Sequence, residues 1–207
     1  MPNLVLLRWQ MVQISLRLYE RGLIVAGEGN LSTRLSDHHF LVTPAGVAKG
    51  RLRPQDLLEI GPRGRHPHDR PTSEWPLHRE IYAARPDVRA VCHAHPPWAT
   101  AFSVAGRDLD GTLLTETADL LPRVPLAARA APGSDEVAAG VVPLLENLDT
   151  VILRNHGVVT LGPDLEAAFC LMETVERLAQ VTLLSELAAG RSSLPEAQIN
   201  KLIGDSA

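Results

Sequence analysis

The stretch Val88-Arg-Ala-Val-Cys-His-Ala-His95 decides how the rest of the chain is read. Up to Ala94 it is mostly apolar or β-branched, the composition of a buried strand, apart from Arg89 and the histidines. Successive strand side chains point to opposite faces, so His93 and His95 share one face with their rings a few ångströms apart. Two ligands of one metal ion need that geometry. By spacing alone the pair also suits a hydrogen-bonded core pair or side chains turned to solvent.

Upstream of this strand, Trp75 to Ala84 reads as a helix that ends before Pro86, and Thr72, Ser73 and Glu74 stand where a helix is capped. The Gly-, Pro-, Arg- and His-rich run Gly61 to Pro71 reads as an exposed turn or hairpin tip. Leu31 to Leu35 and Phe40 to Thr43 look like two short strands, preceded by the glycine-rich Gly27 to Asn30 and followed by the loop Thr43-Pro44-Ala45-Gly46. At the start, Leu4, Leu7, Met11, Ile14 and Leu18 recur at the helical period, with Gly22 as the stop after Arg21.

Downstream, Pro97 to Val104 returns to helix, and Ser134 is placed to cap another running to about Asn147. Val151 to Leu153 and Val158 to Leu161 form a strand pair around Arg154-Asn155-His156-Gly157. Asp164 then opens a long amphipathic helix to about Ala189. Interleaved helices and short strands predict a layered α/β domain, while strand order stays open.

The 207 residues, 45% hydrophobic and 21% charged, suffice for one sizeable core, so residues 1–207 are read as a single domain. A net charge of -4 excludes the concentrated cationic surface of a nucleic-acid binder but not a locally positive pocket for a small anion. Cys92 and Cys170 both lie in apolar stretches, which suits buried, reduced thiols. The first sixteen residues read as a helix of the fold rather than a signal peptide, and nothing approaches a membrane span. A soluble cytoplasmic protein is expected.

A third histidine, His156, lies at a strand end before Gly157, where a side chain can project inward. Three neutral imidazoles with one open coordination position make a catalytic zinc arrangement, whereas structural sites are closed and usually use cysteine, which has no such spacing here. Glu74 is the carboxylate best placed for acid/base work, although an ordinary first-turn glutamate beside the helix dipole fits the same spacing. His38, His39, His66, His68 and His78 are read as surface residues. The pairs Gly29-Asn30, Ala45-Gly46 and Thr72-Ser73 lie in loops whose amides can approach an anion, though each alone is only a turn signal.

Taken in order, Gly29-Asn30-Leu31-Ser32, Val42-Thr43-Pro44-Ala45-Gly46, Thr72-Ser73-Glu74, His93-Ala94-His95 and Asn155-His156-Gly157 resemble the class II aldolase/adducin family, most closely its L-fuculose-phosphate aldolases. The likeness runs from about Leu4 to Leu187. It implies a three-layer α/β/α fold with a mixed, mostly antiparallel central sheet, assembled as a homotetramer. It also implies one Zn2+ per subunit on His93, His95 and His156, with Glu74 as acid/base and resting ligand. Gly29, Asn30, Ala45, Gly46, Thr72 and Ser73 would then surround the substrate phosphate.

The reaction so implied is cleavage of a ketose 1-phosphate, such as fuculose 1-phosphate, to dihydroxyacetone phosphate and an aldehyde. The metal would stabilise an enediolate and Glu74 would move its proton. Three departures bear on this. Ala45 replaces the hydroxyl residue usual in the Thr-Pro-x-Gly loop, and tyrosine occurs only at Tyr19 and Tyr82, not in Leu113 to Ala130. Glu116 in that segment resembles a second glutamate of methylthioribulose-phosphate dehydratases. Alternatives are therefore a metal-dependent sugar-phosphate dehydratase or decarboxylase, or a non-catalytic module like the adducin head.

Overall fold

The structure is a computed structural model and describes residues 3–61, 69–131, 133–188 and 194–204. Helix α1 (Leu4–Glu20) starts at Asn3, whose side-chain oxygen accepts from the amides of Val5 and Leu6. Strands β1 (Asn30–Ser36) and β2 (His39–Val42) form a hairpin, and β3 (Leu58–Ile60) extends it. Helix α2 (Trp75–Ala84) has the expected bounds and leads into β4 (Ala90–Ala94), two residues shorter than its apolar run. Helix α3 (Pro97–Ala105) follows, then a small two-stranded sheet of β5 (Leu109–Asp110) and β6 (Arg123–Val124) around helix α4 (Thr115–Ala118). The chain continues through β7 (Leu126–Ala127), α5 (Asp135–Val141), β8 (Thr150–Leu153), β9 (Val158–Gly162), α6 (Leu165–Ala188) and α7 (Glu196–Gly204).

Among the described residues the main sheet has seven strands in the order β3-β2-β1-β4-β9-β8-β7. Only β7 and β8 run parallel, so the sheet is mixed and mostly antiparallel, as expected. Alternate side chains feed two cores. Ala90, Cys92, Ala94, Leu31 and Ile152 pack with Met11, Phe102, Phe169 and Met172 of α1, α3 and α6. Val91, Val42, Val151 and Val159 pack with Leu77, Ile81 and Val141 of α2 and α5 on the other face. Each fully buried Leu or Phe of these layers contributes about 1.5–3 kcal/mol, which makes the sheet a firm platform.

Three expectations need correction. His78 is not on the surface: it is fully buried on α2, with Nδ1 2.7 Å from Ser32 Oγ, which in turn lies 2.8 Å from Tyr82 Oη. Cys170 is exposed rather than buried, whereas Cys92 is buried and its thiol is pushed up to about 12 by desolvation. The helix after Ser134 stops at Val141 and tightens into a 3₁₀ turn over Val142–Leu145, because Pro143 has no N–H to continue it. Ser134 sits at its N-cap without a side-chain capping bond. Most of the Gly61 to Pro71 turn, including His66 and His68, lies outside the described residues. None of the described helices is long and apolar enough to cross a membrane.

Burial holds His78 neutral and pushes its pKa down to about 3, against about 6.5 in an unfolded chain. Between those values the unfolded chain binds more protons, so this group's contribution is complete above about pH 6.5 and is lost as pH falls toward 3. A loss of roughly 3 kcal/mol from this residue is expected between pH 7 and pH 4. Urea unfolding at stepped pH should therefore show a flatter acid dependence for His78→Asn than for the wild type. Identical slopes would refute the assignment.

Candidate metal centre

His93 lies near the end of β4, between β1 and β9, and is 1% exposed. Its Nδ1 is 2.9 Å from Val158 O, an acceptor only, so the network puts the proton on Nδ1 and turns Nε2 into the cavity. His95 follows β4, fixed by its backbone N–H donating to Leu23 O at 3.0 Å, and its Nε2 lies 3.1 Å from that of His93. His156 occupies the β8–β9 turn. There Asn155 takes a left-handed φ of 56°, and the His156 N–H donates to Leu153 O at 3.1 Å. Gly157 permits this close approach, since a Cβ there would stand 2.3 Å from Ala94 O and 2.7 Å from the His95 ring.

The three rings meet with centroids 4.8–4.9 Å apart, and one nitrogen from each lies within 4.8 Å of the others. Glu74 stands at the N-cap of α2, but its side chain caps nothing. Its carboxylate turns inward, with Oε2 3.0 Å from His93 Nε2 and Oε1 3.4 Å from His156 Nε2, and accepts from Asn30 Nδ2 at 2.8 Å. Burial alone would raise the Glu74 pKa, but His93, the Asn30 amide and His156 hold it well below the usual carboxylate range. Burial and the charge of His93 push His156 down to about 4. For His93, burial acts downward but the Glu74 carboxylate wins and raises it.

These donors fit a divalent cation. Ligands about 2.0–2.1 Å from a tetrahedral zinc lie about 3.3 Å from one another. The separations of 3.1, 3.0 and 3.4 Å among His93, His95, Glu74 and His156 are close to that edge length. The facing Nε2 atoms of His93 and His95, 3.1 Å apart, are at a spacing that one ring N–H or a shared cation satisfies.

All ten residues singled out from the sequence border one cavity of about 190 Å³: Gly29, Asn30, Ala45, Gly46, Thr72, Ser73, Glu74, His93, His95 and His156. Asn30 Oδ1 is buried there and has no partner among the described residues, so it presents an acceptor for a ligand hydroxyl. The β1–β4 ladder sets Asn30 opposite His93, and Gly29 takes φ 67° where a Cβ would strike His93 O at 2.8 Å.

Glu116 is exposed on α4 and borders a different groove, with Arg21, Cys170 and Arg177. No tyrosine borders the metal cavity among the described residues.

Two ionisable cavity residues escaped the sequence reading. Glu28 lies between the glycines of the Gly27 to Asn30 run, accepts from Val25 N–H at 3.1 Å, and brings Oε2 to 3.5 Å from His95 Nδ1. Lys49 follows the Ala45-Gly46 loop. An ionisable residue inside a glycine-rich loop was the available signal for both.

Residues 9–183 match the family described as the Class II Aldolase and Adducin N-terminal domain. The chain is 33% identical over 174 residues to an L-fuculose phosphate aldolase of Methanococcus maripaludis, covering 84% of this chain and 94% of that one. It is 32% identical over 183 residues to a 3-oxo-tetronate 4-phosphate decarboxylase of Escherichia coli, covering 86% of each. The structure superposes on that of an L-fuculose-1-phosphate aldolase from Thermus thermophilus with a TM-score of 0.80 at 35% identity, covering 90% of this chain and 98% of the other.

The Glu28 carboxylate, 3.5 Å from His95 Nδ1, opposes the downward pull that burial and the charge of His93 exert on that ring, and stands where it can orient it. Such outer partners are worth about 10- to 100-fold in metal affinity. Glu28→Gln should accordingly weaken binding of a divalent metal ion by at least about tenfold in competition with a chromogenic chelator. Unchanged affinity would show that His95 needs no such support.

Proposed function

The chain belongs to the family of Class II Aldolase and Adducin N-terminal domains, and on that premise we propose that it is a zinc-dependent aldolase. The reaction proposed is cleavage of a ketose 1-phosphate, such as fuculose 1-phosphate, to dihydroxyacetone phosphate and an aldehyde. The observation that carries this reading is the convergence of three imidazoles and one buried carboxylate on one cavity walled by the loops Gly27 to Asn30, Ala45-Gly46 and Thr72-Ser73. A pure scaffold has no physical need for that donor set, which sets aside a non-catalytic module.

Each residue then has a task. His93, His95 and His156 would hold the zinc, which supplies Lewis-acid polarisation of substrate oxygens. Glu74, kept ionised in the resting site, would take up the hydroxyl proton released as the carbon-carbon bond breaks and deliver it to the carbon left with that bond's electron pair. Asn30 donates to Glu74 and offers Oδ1 to a substrate hydroxyl. Gly29, Ala45, Gly46, Thr72 and Ser73 hold the phosphate, contributing orientation rather than bond chemistry. The same reading proposes one zinc per subunit of a cytoplasmic homotetramer.

Decarboxylation of a related sugar phosphate is the second reading. It is favoured by the Escherichia coli relative and by the lack, among the described residues, of a cavity tyrosine to relay the hydroxyl proton from the oxygen that becomes the aldehyde carbonyl. A dehydratase using Glu116 has less support, because that side chain faces the other groove of this chain.

Purified protein should contain stoichiometric zinc and release dihydroxyacetone phosphate in an assay coupled to its reduction. A chelator or His95→Ala should abolish that release. Glu74→Gln should retain zinc and lower kcat by on the order of 10²–10⁴. Carbon dioxide released in place of an aldehyde would move the assignment to decarboxylase, since a four-carbon 3-oxo acid 4-phosphate also leaves dihydroxyacetone phosphate. Protein that carries no metal and gains no lyase activity with zinc would end it.

A further inference from the structure

Lys49 is 3% exposed and borders the metal cavity. Its ammonium donates to Gly27 O and to Val47 O, each at 3.0 Å, while its backbone N–H donates to Ala26 O at 3.0 Å. One side chain thus ties the glycine-rich loop before β1 to the loop after β2, the two segments between which the substrate's anionic end would sit.

Among the described residues no carboxylate neutralises this charge. An ammonium has three donors, and two are spent on neutral carbonyls. Lys49 forms no ion pair among the described residues, and burial alone lowers its pKa. Glu28, the carboxylate nearby in the cavity, is engaged with Val25 N–H and His95 Nδ1 instead. A buried cation without an anion is costly unless a ligand supplies one. The adjoining loop has room for it, since a side chain at Gly46 would meet nothing within 4 Å. That loop also carries Ala45, which has no hydroxyl to offer an anion.

We propose that Lys49 is the residue that recognises the phosphate of the substrate, its ammonium binding the phosphate oxygens directly with the third N–H and supplying the charge that the Ala45 loop lacks. This rests on the sugar-phosphate reading of the cavity, and it makes the site selective for a phosphorylated ligand over its uncharged counterpart. The carbonyls of Gly27 and Val47 aim the ammonium, so binding costs little side-chain ordering.

Calorimetric titration of the zinc-loaded protein with inorganic phosphate tests this without requiring turnover. The wild type should bind one phosphate, and both Lys49→Gln and Lys49→Met should bind it roughly 10- to 100-fold more weakly, the scale of one charge-assisted contact. Lys49→Gln keeps an N–H donor for the loop carbonyls, so its zinc content and Tm should match the wild type. With a turned-over sugar phosphate, the defect should fall on KM rather than kcat. Wild-type phosphate affinity in both variants, or no phosphate binding by the wild type, would overturn the proposal. So would loss of zinc from Lys49→Gln alongside loss of phosphate, since Lys49 would then only fasten the loops. If phosphate binding depends on Lys49 but no sugar phosphate is cleaved or decarboxylated, the lyase reading fails while the anion site stands.

Discussion

The antiparallel ladder that sets β4 between β1 and β9 constrains the site from both sides. Asn30 pairs with His93 on one flank, and Val159 pairs with His93 on the other. Because register is fixed by the two buried cores, a slip of one residue would turn the histidine face of β4 into the α1–α3–α6 layer and lose both cores together. The Val158 carbonyl that holds His93 Nδ1 belongs to the same ladder, so strand pairing also sets the tautomer. His156 enters through the β8–β9 turn, whose geometry depends on a glycine pressed against Ala94 and His95.

That rigidity makes a costly arrangement tolerable. Glu74 is 5% exposed, and a carboxylate so desolvated is stable only when it is paired and hydrogen-bonded. Asn30 Nδ2 donates one bond, and His93 and His156 share the remaining charge. Removing one partner leaves a buried charge uncompensated, so the cluster stands or falls as a unit. The loop carrying Thr72 assists, since Thr72 Oγ1 accepts from Glu74 N–H at 3.3 Å and fixes the turn from which the carboxylate points inward.

Where periodicity had a single physical cause, it read correctly. The α2 bounds follow from Pro86 and from apolar spacing, and the common face of His93 and His95 follows from the strand period. His78 failed because α2 is covered on more of its circumference than its polar residues suggest. Ser32, itself bonded to Tyr82 Oη, gives that imidazole a buried partner 46 residues away, which the local sequence does not show. Cys170 failed in the opposite direction, since an apolar neighbourhood in α6 does not specify which side of the helix a residue takes. Single motifs left His156 and Glu74 open. Only tertiary contacts across 63 and 82 residues bring His93, His156 and Glu74 together, and local pattern carries no information about those closures.

Lys49 and Glu28 were hidden for a related reason. Both lie in segments whose glycines and alanines read as backbone anion cradles, so their charges looked like ordinary loop polarity. In the folded chain they have different partners. Glu28 faces a histidine of the metal cluster, while Lys49 is gripped by carbonyls from both loops. With Lys49 as the proposed phosphate contact, the cavity joins a cluster of nitrogen and carboxylate donors to one cation. An elongated ligand with oxygens at one end and an anion at the other can satisfy both together, which a ligand lacking either feature does not. Polarity along the cavity, more than its volume, then selects what enters.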